Sequence, residues 1–285
     1  MPSRDRSRIA AALARAAALL VLASCSSPGG STASAPSAGS RFADGVAVLG
    51  DSISTAKNSD PAHPEQDAEQ NSWATGTAPA VQSVYLRLVA VNPAARGHAL
   101  DLAVDDAGID GVLAQARQLV QHPRAHELVL LQGISADLRC DGSDPANEGP
   151  FAKKVGQVLD VLAAGLPDPD IVLVSLYGTS ASHAQAFSQV DPTAITGDGP
   201  CDAIDPATGK LSASRISYAG ALVQAYESRT AAVCTAHPHC RTDGRAARGM
   251  ALAPADFVPY DIHFSVRGEH DLAAVLWPAI YPGAH

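Results

Sequence analysis

The chain is poor in positive charge: 20 Lys and Arg stand against 29 Asp and Glu, a formal net charge of −9. Nucleic acid and anionic lipid surfaces attract cationic proteins, so neither is expected as the main partner. No block of like charge and no internal repeat interrupts the sequence, and no "GxSxG" elbow is present. The apolar run "AAALLVLAS", residues 16–24, is too short to cross a bilayer as a helix. Cysteine is scarce, with five in the whole chain.

What is present begins with a targeting signal. Arg4, Arg6, Arg8 and Arg15 precede and enter the short apolar run, and Cys25 follows "LAS" directly. Residues 1–24 therefore read as a lipoprotein-type signal peptide, with lipidated Cys25 as the new N-terminus. Residues 25–40, "CSSPGGSTASAPSAGS", hold nothing after Cys25 that can build a core, and read as a flexible tether. The folded domain is expected over 41–285. The expected location is the outer face of a bacterial cell membrane, held by a lipid anchor, or secreted.

Without Cys25 an even number remains: Cys140, Cys201, Cys234 and Cys240. Two disulfides suit an exported protein. Of the three pairings, closeness in "CTAHPHC" favours Cys234 with Cys240, leaving Cys140 with Cys201. The rival is a zinc site from Cys234, His237, His239 and Cys240.

Apolar runs of strand length alternate with stretches of helical periodicity. "VAVLG" (46–50), "ELVLLQG" (127–133) and "DIVLVSLYG" (170–178) read as buried strands, "HALDLAV" (98–104) as a weaker one and "GMALAPAD" (249–256) as a fifth. Helical spacing falls in "APAVQSVYLRLVAV", "GIDGVLAQARQLVQH", "FAKKVGQVLDVLAAGL" and "SRISYAGALVQAYESRTAAVC". A closing helix is expected after Ser265 as N-cap. The Gly-, Pro- and Asp-rich stretch 181–214 reads as a long loop-like wall beside a site, pinned by Cys201. Strand–helix alternation implies a parallel sheet covered on both faces, with ligands at the carboxyl ends of its strands.

Those ends carry the chemistry. "GDSIS" follows the first strand and places Ser52 at the rim. "DIHFS" precedes the last helix and offers His263 as a base, with Asp261 to orient it. Together with "SWATG" (72–76) and "GISAD" (133–137), these blocks occur in the order of the SGNH, or GDSL-type, hydrolases, which the chain resembles over nearly its whole folded length. The resemblance implies a three-layer αβα sandwich, flavodoxin-like in outline. It implies a serine esterase or lipase cleaving a carboxylic ester through an acyl-enzyme, with no metal and no cofactor. Small-molecule, lipid or glycan esters are the implied substrates, and a monomer is expected. By the resemblance Ser52 is the nucleophile, His263 the base and Asp261 its orienting acid. Asp51 is expected to orient the loop through local hydrogen bonds.

The chain departs from the family's pattern at the oxyanion hole. Ser52 N–H is one expected donor. Gly108 is the second, although another alignment puts Asp106 there. The third block lacks its Asn: Ser135 or Ala136 takes that place, depending on the alignment, and Ser135 is the residue able to donate. The last block is one residue short, with Asp261 two before His263 rather than three. A missing donor costs about 10²–10³ in turnover. The alternative is a weak or inactive relative that binds an envelope glycan or lipid.

Overall fold

The computed structural model describes residues 42–284 apart from 123 and 125. The signal peptide, Cys25 and the tether lie outside the described residues. Five parallel strands form the central sheet: β1 (Val46–Leu49), β2 (Ala99–Asp101), β3 (Leu128–Leu131), β4 (Asp170–Leu173) and, last in the chain, β7 (Cys240–Thr242). Their order is β2-β1-β3-β4-β7. A two-stranded hairpin, β5 (Ile204–Asp205) with β6 (Lys210–Leu211), stands apart.

Alternation along the strands decides which layer each side chain joins. Val46, Val48, Leu128, Leu130 and Val172 face one core. That core is closed by α1 (Val84–Val91) and α6 (Val266–Ile280), with Phe187 of α4 (Ser180–Val190). Ala47, Leu49, Val129, Leu131, Ile171 and Leu173 face the other. It is closed by α2 (Ile109–Leu119), α3 (Asp144–Gly165) and α5 (Ala213–Thr235). Both faces of β1, β3 and β4 are thus buried, which is why these strands read as continuous apolar runs. Trp73 and Trp277 are buried packing residues. The result is the expected three-layer αβα sandwich.

Three readings change. The fifth strand is Cys240–Thr242, not 249–256. Its register comes from long-range contacts that periodicity cannot show. The Arg241 guanidinium grips the Asp170 carboxylate at 2.9 and 2.8 Å and the carbonyls of Ala279 and Ile280. Residues 249–256 run as coil with a 3₁₀ turn at Pro254–Asp256, and Met250 is buried in the core. Second, the 181–214 stretch is not loop throughout: α4 occupies its first third. Thr179 and Ser182 exchange hydrogen bonds across a capping box, which starts a helix in a polar, Ser- and Ala-rich segment. Third, α3 begins at Asp144, seven positions before the expected Phe151, because the Asp144 carboxylate holds the N–H groups of Arg139 and Cys140 in the preceding turn.

Both disulfides are present, Cys140–Cys201 and Cys234–Cys240. The second consumes the thiolates that a zinc site would need.

Candidate active site

From β1 the chain connects to β2 on one side and then returns to β3 on the other, so the strand order reverses between β1 and β3. That is the switch point where a doubly wound sheet opens a crevice for ligands. The segments leaving these two strands carry Ser52 and Ser135.

Ser52 stands in a tight turn. Asp51 C=O accepts the N–H groups of Ser54 and Thr55, at 2.9 and 3.2 Å, and Ser52 C=O accepts Lys57 N–H at 3.1 Å. The entry to the turn is clamped from α2: the Gln115 side chain donates to Gly50 C=O at 2.9 Å and accepts Gly50 N–H at 2.8 Å. Gly50 is required by close approach, since a Cβ there would meet Gln132 O at 2.7 Å and Ser54 Oγ at 2.8 Å. Asp51 is only 2% exposed. One of its carboxylate oxygens accepts Ile53 N–H at 3.1 Å, and the other accepts the Ser135 hydroxyl. Burial raises its pKa, and the hydrogen bonds of Ser135, Ile53, Gln132 and Ala136 N–H oppose that rise. The Ile53 bond is the local one expected of Asp51, and the Ser135 bond in addition anchors the segment after β3 to the Ser52 turn.

The other half of the site is a short loop whose base is the antiparallel Phe257–Phe264 bridge. Phe257 and Phe264 stack in one aromatic group with Tyr177 and Phe187. Val258 N–H donates to His263 C=O at 2.9 Å, so the loop closes on itself. Asp261 Oδ1 lies 2.7 Å from His263 Nδ1 and accepts His263 N–H at 3.1 Å. The one-residue shorter spacing still brings carboxylate and ring together. Burial alone would raise Asp261, but the donors Asn58 and His263 outweigh it and hold the carboxyl below its ordinary pKa. An ionised Asp261 accepts a hydrogen bond from His263 Nδ1–H, which fixes the proton on Nδ1 and leaves the Nε2 lone pair as the basic one.

Asn58 joins the two halves. It ends the Ser52 turn in a left-handed conformation, φ 62°, and its amide donates to Asp261 Oδ2. Sequence reasoning missed Asn58, because an Asn in a turn carries no signal of a partner 203 positions away. Ser52 Oγ and His263 Nε2 make no hydrogen bond to each other among the described residues. Such bonds commonly tighten only with substrate.

The oxyanion donors are sorted differently from expectation. Ser135 is not a free donor: its hydroxyl proton goes to Asp51, and it accepts from Gln132 Nε2 at 3.3 Å. Ala136 N–H also bonds Asp51, and the Ala136 side chain is exposed. Gly108 is the N-cap of α2, with no side-chain cap of its own and an N–H uncommitted among the described residues. The next N–H, Ile109, donates to Asp137 Oδ2 at 2.7 Å. A carboxylate thus lies beside Gly108. Burial raises Asp137, opposed by that N–H bond. Asp101, at the end of β2, accepts Thr75 Oγ1 at 2.8 Å and Ala103 N–H at 3.0 Å, and burial pushes its pKa to about 7. Asp106 stands at positive φ, 59°, in the turn before α2.

No family model matches the chain, and no curated protein matches its sequence. Solved structures do share its fold. The structure reported as TesA superimposes with a TM-score of 0.52 at 13% identity, covering 83% of this chain and 98% of that one. LAE5, an alpha/beta hydrolase enzyme from the metagenome of Lake Arreo, Spain, gives 0.50 at 15% identity, covering 82% and 94%. The described residues therefore form a three-layer αβα domain of the kind found in these solved chains, as the sequence resemblance implied.

Proposed function

We propose that the protein is a serine ester hydrolase working through Ser52, His263 and Asp261. The observation that carries this reading is the Asp261 carboxylate, which holds the His263 ring on one oxygen and Asn58 of the Ser52 turn on the other. In the proposed reaction Ser52 Oγ attacks the ester carbonyl and His263 Nε2 takes its proton. The carbonyl oxygen becomes an oxyanion, facing the N–H groups of Ser52 and Gly108. Collapse breaks the ester bond, and His263 returns the proton to the leaving alcohol. A water molecule then repeats the sequence on the acyl-enzyme and releases the acid.

With Ser135 tied to Asp51, only two donors remain for the oxyanion. On this reading turnover is slower by the 10²–10³ that one donor supplies, about 2.7–4 kcal/mol. The same observation favours a second reading, a relative that binds an envelope glycan or lipid ester without rapid turnover. Residues 41–285 are expected to cleave p-nitrophenyl butyrate and to take a fluorophosphonate label, and Ser52→Ala to lose both. Equal activity in Ser52→Ala overturns the assignment.

Export with a lipid anchor at Cys25 belongs to the same proposal. It is supported by the basic start and apolar run before Cys25, and by two disulfides, which persist in oxidising compartments. Mass spectrometry of the cell-expressed protein is expected to find a diacylglyceryl group on Cys25, and Cys25→Ala to release the protein from membranes.

A further inference from the structure

Four tyrosines are buried among the described residues: Tyr85, Tyr177, Tyr226 and Tyr281. A buried tyrosine ordinarily finds a partner for its hydroxyl. Tyr85 Oη accepts Gly97 N–H at 2.8 Å, and Tyr281 Oη accepts Ala43 N–H at 3.2 Å. Tyr226 Oη accepts from Asn147 at 3.0 Å and donates to Asp144 at 3.3 Å. Tyr177 differs. Its side chain is 7% exposed, and its hydroxyl makes no hydrogen bond among the described residues, yet the oxygen is not sealed from solvent.

Tyr177 lies in the segment after β4, beneath the loop that carries the proposed base. Its ring centroid is 4.3 Å from that of Phe264, the residue after His263, and 4.8 Å from that of His183. The charges around the hydroxyl are carboxylates: Asp51 from the Ser52 turn, Glu269 from α6 and Asp261 from the His263 loop. Burial and these three acids raise its pKa, so the hydroxyl keeps its proton and stays a donor.

The sheet decides what such a donor can serve. Ile109 beside Gly108, and Ile134 beside Ser135, pack on the face of α2, α3 and α5. Tyr177, Phe264 and Ile53 of the Ser52 turn pack on the face of α1 and α6. The proposed oxyanion points to Gly108, on the first side. The oxygen that leaves must lie on the second, because His263 has to hand it a proton. Tyr177 shares the side of His263.

We propose that Tyr177 is a further catalytic residue, whose hydroxyl donates a hydrogen bond to the leaving ester oxygen beside His263 Nε2. As the ester C–O bond breaks, its electron pair stays on that oxygen. The Tyr177 O–H bond stays intact and steadies the developing charge, and His263 delivers the proton. The water that later attacks the acyl-enzyme takes the same place. The inference rests on the Ser52–His263 reading and adds a residue to it.

The test is leaving-group dependence. An ethoxide leaving group concentrates charge on its oxygen, whereas p-nitrophenolate spreads the charge into its ring and departs without help. Both butyrates are compared in the wild type, Tyr177→Phe and the control Tyr218→Phe in α5. Tyr177→Phe keeps the ring on Phe264 and His183 and removes only an unpaired hydroxyl, so the melting temperature is expected to hold or rise. Its kcat/KM is expected to fall by about 10²-fold on ethyl butyrate and by less than about threefold on p-nitrophenyl butyrate, with both rates unchanged in the control. A misplaced ring would slow both esters alike, so an equal loss overturns the proposal, as does no loss on ethyl butyrate. A wild type that cleaves p-nitrophenyl butyrate but not ethyl butyrate overturns it too, because the leaving oxygen then has no such donor. Each of these outcomes leaves the hydrolase reading standing. A wild type that cleaves neither ester and takes no fluorophosphonate label overturns that reading and this proposal with it.

Discussion

At the scale of single residues, Asn58 and Ser135 each have one decisive bond. Asn58 is one of the two donors that keep Asp261 ionised against its burial. Asn58→Ala is expected to lower kcat by roughly ten- to a hundredfold, because a ring held by a less restrained carboxylate strays from the attacking position. The same variant raises the Asp261 pKa, so the acid limb of the kcat–pH profile is expected to move to higher pH; an unmoved limb contradicts the linkage. Ser135 donates to a carboxylate that is almost wholly buried. Ser135→Ala leaves Asp51 short of a donor, which costs about 1–3 kcal/mol of stability. Its effect on kcat is expected to stay far below the 10²–10³ of a true oxyanion donor. Urea unfolding and ester kinetics on the one variant separate the two roles. A hundredfold loss of kcat with unchanged stability makes Ser135 a working donor after all.

Between elements, the Ile109 N–H at the start of α2 donates to Asp137 in the segment after β3. It caps the helix, and it also sets a negative charge beside the Gly108 N–H. Asp137→Asn keeps an acceptor for Ile109 and removes the charge. A several-fold rise in kcat on an activated ester is expected, with little change in KM, because the oxyanion exists only past the ground state. A fall in kcat shows that Asp137 acts through position rather than charge. The disulfides divide in the same way by what they connect. Cys140–Cys201 joins residues 61 apart, tying the turn after the β3 segment to the stretch before β5, whereas Cys234–Cys240 closes a separation of 6. Loop entropy grows with length. Cys140→Ser is therefore expected to cost more in urea unfolding than Cys234→Ser, within about 2–5 kcal/mol.

For the whole molecule, buried acids set the pH dependence of stability. Burial raises Asp101 to about 7 and Glu269 well above its ordinary value, although Trp73 N–H bonds Glu269 at 2.8 Å. A raised folded pKa means that the native state holds the proton where the unfolded chain has lost it. The stabilisation is complete below the unfolded carboxyl pKa and is lost as pH rises through the folded one. His126, 3% exposed, has its pKa lowered to about 4 by burial and by its His122 and His98 neighbours. It works the opposite way, losing stability as pH falls from 6.5 toward 4. Above pH 6.5 only the acids act. The melting temperature is expected to fall between pH 6.5 and 8, and Asp101→Asn to flatten that slope. An equal slope in the variant removes Asp101 from the account.

Sequence alone determined the layers, because β1, β3 and β4 bury both faces and their apolar runs announce it. It also singled out the blocks that carry Ser52, Asp261 and His263, since these are short local patterns, and paired the cysteines as the structure has them. The three-residue β7 was not legible: an Arg held by a distant Asp and by two helix-end carbonyls carries no period. Nor was α4, whose start depends on a capping box rather than on an apolar stripe. The shortened Asp–His spacing looked like a defect, and only the folded loop revealed that carboxylate and ring still meet. Asn58 and the capture of Ser135 by Asp51 were likewise decided in three dimensions. A hydrogen bond between residues 203 or 84 positions apart depends on where two turns arrive at the sheet's edge, and that is fixed by the packing of the layers beneath them.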